Sequence, residues 1–167
     1  MGITVRALVE QVIGPALSQT GLYTRSAEQL MLGTAAQESR LGSFLKQFEG
    51  PALGIWQVEP KTHHDIWNNY LKGNDELIKK ICNACYIPLP NFGTIPYDEI
   101  LIYNLRYACI MGRLVYFRNR TILPAFDDIQ GQAVYWKTVY NSFKGKGDTA
   151  AYIQNYNQHV RPYYHPF

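Results

Sequence analysis

Glu38 is the residue of this chain best suited to acid chemistry. It stands in Gly33-Thr34-Ala35-Ala36-Gln37-Glu38-Ser39-Arg40-Leu41-Gly42, a single carboxylate near the end of an otherwise apolar helical run. Burial in an apolar cleft disfavours the anion, and the negative end of a helix dipole does the same. A carboxyl kept protonated near neutral pH can give its proton to a glycosidic oxygen. One acidic residue in a helix is, by itself, more often a surface or capping carboxylate, so Glu38 needs partners.

The partners follow in the chain. Gly50-Pro51-Ala52-Leu53-Gly54-Ile55-Trp56-Gln57 is a glycine-punctuated loop, and Val58-Glu59-Pro60-Lys61-Thr62 opens a new helix with Pro60 in its first turn. A helix ending in Glu-Ser, such a loop, then Pro-x-Thr resembles the lytic transglycosylases of the lysozyme-like superfamily. Their pattern is Glu-Ser followed by Gly-Leu-Met-Gln-Ile-x-Pro-x-Thr. Here Ile55-Trp56 replaces Leu-Met, and Val58-Glu59 precedes Pro60. Asn104-Leu105-Arg106-Tyr107-Ala108 is similar to the family's Asn-Ile-x-x-Gly, with Ala108 in place of glycine. Val139-Tyr140-Asn141 is similar to its Ala-Tyr-Asn, preferred over the competing Asn155-Tyr156-Asn157 because only a short helix and linker then separate it from Asn104. Trp136-Lys137, the Gly145-Lys146-Gly147 turn and the Gly33–Ser39 stretch look like phage-encoded members. The resemblance covers roughly residues 25–145 of the 167.

The resemblance implies peptidoglycan as the partner and cleavage between N-acetylmuramic acid and N-acetylglucosamine, with Glu38 as the one catalytic acid and no cofactor or metal. Tyr140 would hydrogen-bond near the Glu38 carboxyl, and Ser39 would brace the cleft. Gln57 and Asn141 would bind N-acetyl or hydroxyl groups, with Asn104 and Glu59 beside them. The glycines at 50 and 54 would let backbone approach the saccharide, and Trp56 or Trp67 could stack on sugar rings. For Trp67, core packing is the competing reading. The rival mechanism is hydrolysis, which needs a second carboxylate: Glu49, Glu59 or Asp65, with Glu59 the best placed and a helix N-cap its plainer role. A phage virion protein acting on the periplasmic cell wall is implied, with other virion proteins as further candidate partners. An endolysin and a non-catalytic virion component that only binds glycan are the alternatives.

The elements that must position these residues read as helices almost throughout, so the expected fold is all-α, a single lysozyme-like domain over 1–167 with a short hairpin in 43–58 at most. Val5, Leu8, Val12 and Leu17 mark a first helix, interrupted at Gly14-Pro15. Ser26 and Gln29 suggest a capping box for the helix that carries Glu38, and Gly42 its C-terminal glycine. Helices are expected over 75–84, 98–117, 127–142 and 148–159, with 86–96 an irregular connection. Small residues at Ala108 and Gly112 would let a neighbour approach closely.

Composition narrows the classes. Hydrophobic residues make up 47% and charged residues 17%, a globular balance. The net charge of +3 suits an anionic polymer but is too small to argue for nucleic acid, and no basic run is present, so no nucleic-acid partner is expected. Thirteen tyrosines suit either a sugar-binding cleft or a tyrosine-rich core and surface. Cys82 and Cys85 form a lone CxxC and Cys109 leaves the count odd, which supports neither a disulfide framework nor a zinc ribbon. His63-His64, with His159 or His165, is a poor metal set, since adjacent helical residues point apart. Ser39 as a nucleophile lacks a base placed by sequence. The first seventeen residues lack the features of a secretory signal, and no stretch approaches the roughly 18 apolar residues of a membrane span. The tail Arg161–Phe167 is aromatic and proline-rich, suited to docking on the domain or a partner, with a simple terminal extension the plainer reading.

Overall fold

The computed structural model describes residues 2–90, 94–141 and 147–164. It is helical, and among the described residues there is no sheet: the 43–58 segment forms only two isolated bridges, Lys46 with Leu53 and Leu53 with Val58. No helix is long and apolar enough to cross a membrane among the described residues.

Polar side chains start most of the helices. Thr24, Asn74, Asn104, Asp128 and Asp148 each accept from the backbone N–H three residues on, which satisfies one of the orphan donors of the first turn. The expected capping box at Ser26 and Gln29 is not formed. Thr24 caps the Arg25–Ser39 helix instead, and Gln29 is buried, accepting from the Tyr156 hydroxyl. The expected single helix over 98–117 is two, Ile100–Tyr103 and Leu105–Phe117, because Asn104 turns extended to cap the second. The first helix, by contrast, is not broken at Gly14-Pro15. It runs through residues 5–20 with a wider π-helical turn over Leu8–Ile13, where Gly14 N–H bonds Val9 O. The wider turn lets the helix continue into Pro15, which has no N–H to donate.

Leu105–Phe117 is the centre of the molecule. Every residue from Tyr107 to Tyr116 is buried, as expected of a helix that is apolar all round. The small residues anticipated there do bring neighbours close. A Cβ on Gly112 would lie 3.1 Å from both Met31 and Trp56, and Ala108 faces Gly54. Arg25–Ser39 lies against this core, and Thr149–His159 lies along Arg25–Ser39. Gly33 permits that second approach, since a Cβ there would meet the Tyr152 hydroxyl at 2.0 Å. The tail docks on its own domain as far as the described residues reach: the Tyr164 hydroxyl donates to Glu28 at 2.9 Å. His165 lies outside the described residues, as do Gly145 and Lys146.

The tyrosines divide between core and surface, with Tyr23, Tyr86, Tyr97, Tyr103 and Tyr163 exposed. Tyr107, Tyr116, Tyr135, Tyr152 and Tyr156 are buried. Trp67 takes its core reading: its indole Nε1 donates to the Tyr107 hydroxyl at 2.7 Å. That hydroxyl lies 2.6 Å from His63 Nε2, and His63 Nδ1 lies 2.7 Å from Asp98 Oδ1. One arrangement satisfies every group: Trp67 donates to Tyr107, Tyr107 to His63 Nε2, and His63 Nδ1–H to Asp98. Burial holds the His63 pKa below its usual value, against the opposing pull of Asp98. The neighbouring histidines do not point apart as expected. His64 Nε2 also reaches Asp98 Oδ1, at 3.1 Å, so His63, His64 and Asp98 form a compact cluster. Both nitrogens of His63 are nevertheless engaged by protein partners.

The three cysteines are buried and unpaired. Burial pushes the Cys85 thiol up to about 12, so it is protonated and unreactive at neutral pH.

Replacing Tyr107 by Phe should leave a buried imidazole nitrogen and the Trp67 N–H without a partner. The expected loss is about 1–3 kcal/mol, read as a lowered denaturation midpoint at unchanged slope.

Candidate functional site

Glu38 sits in the last turn of the Arg25–Ser39 helix. That helix ends in an unusual turn: Arg40 (φ 51°) and Leu41 (φ 57°) are both left-handed, followed by Gly42 (φ 81°). The expected glycine stop therefore comes two residues late, and the turn places non-glycine residues where they are strained. The Ser39 hydroxyl compensates by accepting from Gly42 N–H at 2.8 Å.

Ser39 also donates to Ile55 O at 2.7 Å, tying the 50–58 loop to the helix. Two further side chains fix that loop. Trp56 Nε1 donates to Met31 O at 2.9 Å, and the Tyr140 hydroxyl donates to Trp56 O at 2.6 Å. Ser39 thus joins the helix end to the loop through two hydrogen bonds. Trp56 is not a sugar platform: its ring is wholly buried beneath the loop. Gly54 serves protein packing rather than the saccharide, because with φ 76° a Cβ would lie 2.1 Å from Leu101 O. Gly50 similarly faces the Gln47 side chain.

A cleft of about 650 Å³ opens beside Glu38, lined among others by Gln57, Glu59, Thr62, Arg118, Trp136, Tyr140 and Asn141. Residues from four parts of the chain therefore converge. Trp136, Tyr140 and Asn141 come from a π-helical stretch, Trp136–Asn141, that continues Ile129–Tyr135. Such wide turns are frequent at functional sites. Gln57 is left-handed (φ 47°), nearly buried, and donates to Gly54 O at 2.7 Å. Asn141 accepts from Lys137 at 2.9 Å. Glu59 is exposed on the cleft wall, at the N-cap position of the Pro60–Asp65 helix, but its side chain makes no cap bond.

Glu38 is partly open to this cleft and enclosed elsewhere. Burial raises its pKa from 4.5 to about 7, and a hydrogen bond from Trp136 Nε1, 2.8 Å from Oε1, acts in the opposite direction. Trp136, not Tyr140, is the residue that holds the carboxyl. Tyr140 lies near enough for Glu38 to help raise its pKa, behind burial as the main cause, but its hydroxyl is committed to Trp56 O. Trp136 is itself fixed from both sides. Its ring lies 5.4 Å from that of Tyr152, and a Cβ on Gly147 would come within 2.4 Å of it.

Asn104 is not a cleft residue. Its amide donates to Cys85 O at 2.9 Å while its oxygen caps the central helix. The competing pair Tyr156 and Asn157 also lies elsewhere, but Asn155 reaches the cleft wall indirectly by donating to Gln37 at 2.8 Å. Of the candidate second carboxylates, Glu59 alone lines the cleft. Asp65 is engaged with Arg118 and Asn69, and Glu49 does not contribute. Sequence reasoning missed Arg118, Phe44 and the role of Trp136. Trp136 stands one turn before Tyr140, so placing Tyr140 in the cleft predicts its neighbour; Arg118 carries no such signal.

Compared with protein-family models, with curated proteins and with solved structures, the chain matches none.

A raised carboxyl pKa has a thermodynamic signature. The native state prefers protonated Glu38, so stability from this group is fully present below about pH 4.5 and is lost as pH rises through about 7. Glu38→Gln should therefore be more stable than wild type above pH 7, by up to about 3 kcal/mol and less where cleft water screens the charge. The advantage should vanish near pH 4, as followed by thermal unfolding across that range.

Proposed function

We propose that this chain cleaves the glycan strands of peptidoglycan, as a lytic transglycosylase on a lysozyme-like helical domain. The observation that carries the reading is a carboxyl group at the wall of an open cleft, its pKa raised by burial to about 7 so that a large share stays protonated near neutral pH. It is supported by the order of the sequence blocks, three of which contribute to that cleft.

In the proposed reaction, Glu38 gives its proton to the oxygen joining N-acetylmuramic acid to N-acetylglucosamine as the bond from that oxygen to the muramyl C1 breaks. The muramyl acetamido oxygen closes onto C1. The Glu38 carboxylate then takes the proton of the muramyl 6-hydroxyl while that oxygen attacks C1 and displaces the acetamido oxygen. The product is a 1,6-anhydro sugar, and no second carboxylate or water is consumed. Gln57 and Asn141 would position the substrate, and Phe44, 44% exposed on the cleft wall, offers an apolar ring face to a sugar. The biological setting that fits is a phage virion protein opening the wall locally, with release as an endolysin the alternative.

Hydrolysis is the second reading, favoured by one feature: Glu59 shares the cleft with Glu38. Mass spectrometry of soluble products from Gram-negative peptidoglycan separates the two. Anhydro-muramyl products are expected from wild type, with Glu38→Gln reducing release by about a hundredfold or more. Reducing-end muramic acid would instead establish a muramidase, with Glu59 as partner. No release by folded wild-type protein would exclude catalysis and leave a glycan-binding virion component.

A further inference from the structure

The cleft does not end at the residues around Glu38. A second cavity, of about 440 Å³, is lined by Asn69, Tyr70, Val115, Arg118, Asn119 and Val139. Val115, Arg118 and Val139 line the first cavity as well. The two are therefore adjoining parts of one groove, with Arg118 on the shared wall. Arg118 is the only cationic side chain lining either part among the described residues.

The polar groups around Arg118 are largely committed. Asp65 accepts from Asn69 through Oδ1 and pairs with Arg118 Nη1 through Oδ2. Asn119 Oδ1 accepts from both the backbone and the hydroxyl of Thr121. Arg118 itself uses one nitrogen on Asp65. A guanidinium offers five N–H donors in a planar fork matched to a carboxylate, so a charged pair made through Nη1 leaves donors for a ligand. Asp65 anchors the cation while remaining 44% exposed at its own side chain, and Arg118 is 28% exposed.

We propose that the groove beyond Glu38 is a subsite for a carboxylate-bearing substituent of the glycan, bound by Arg118. This rests on the reading of the cleft as a glycan site and names what that site selects. The chemistry has two sources in a cell-wall strand: a carboxylate of the attached peptide, or the lactyl carboxylate of a muramic acid without peptide.

Calorimetric titration tests it, using Glu38→Gln protein to prevent turnover and three probes: a neutral chitin oligosaccharide, a peptide-free muramyl glycan with its lactyl carboxylate exposed, and a peptide-bearing glycan. Adding Arg118→Ala should weaken binding of a carboxylated probe about tenfold and leave the neutral probe within twofold. Loss on the peptide-free muramyl probe alone assigns the lactyl carboxylate, loss on the peptide-bearing probe alone assigns a peptide carboxylate, and loss on both shows that Arg118 accepts either. Asp65→Asn, which releases the guanidinium from its partner, should strengthen binding of the same probe, and added salt should weaken it. Equal losses on neutral and charged probes, or no loss on either, would overturn the subsite. Binding of no probe by folded Glu38→Gln protein would instead overturn the glycan reading itself.

Discussion

The hydrogen bond from the Trp136 indole to the Glu38 carboxyl joins two parts of the chain 98 residues apart, and the site depends on that junction. The enclosure around Glu38 raises its pKa, whereas the donated bond favours the anion. The two effects place the group between a permanently ionised acid and one too reluctant to release its proton. An indole suits this position because it donates one N–H, accepts nothing, and presents a large apolar face to the rest of the enclosure.

The surroundings of that pair are fixed more by side-chain-to-backbone bonds than by regular structure. Among the described residues there is no sheet to hold the 50–58 loop. Ser39, Trp56 and Tyr140 tie it to two helices, and each bond satisfies a backbone carbonyl that would be costly to bury alone. Glycines at 33, 112 and 147 then allow Tyr152, Met31, Trp56 and Trp136 to approach closely enough to fill the space. The geometry of the cleft is thereby set before any ligand arrives, which reduces the ordering that binding must impose.

How much of this is legible in the sequence depends on whether a feature is local. The helical periodicities, the proline opening the helix at residue 60 and the small residues of the central helix are properties of short windows, and they can be read directly. Caps are readable in kind but not in position: Thr24 displaces Ser26, and Asn104 splits a helix whose apolar pattern runs on unbroken. Gly14-Pro15 misleads for a related reason, since a π-helical turn is set by hydrogen bonds five residues apart and has no strong compositional mark. The fate of Trp56 is harder still. An aromatic in a glycine-rich loop suits a ligand platform as well as a core anchor, and only the position of Met31 O decides between them. Arg118 and the Tyr107–His63–Asp98 chain depend on long-range placement, which no window contains.

The distance in sequence between Glu38 and Trp136 has a consequence for a chain still being synthesised. Until the residues that close over it have left the ribosome, Glu38 belongs to a helix end bathed in water, where a glutamate is an ordinary ionised side chain. The acid is acquired late, by completion of the fold rather than by a separate activating event. A polypeptide interrupted before residue 136 would carry Glu38 in full and yet lack the indole that bonds its carboxyl, so the environment of this side chain is a property of the finished chain alone.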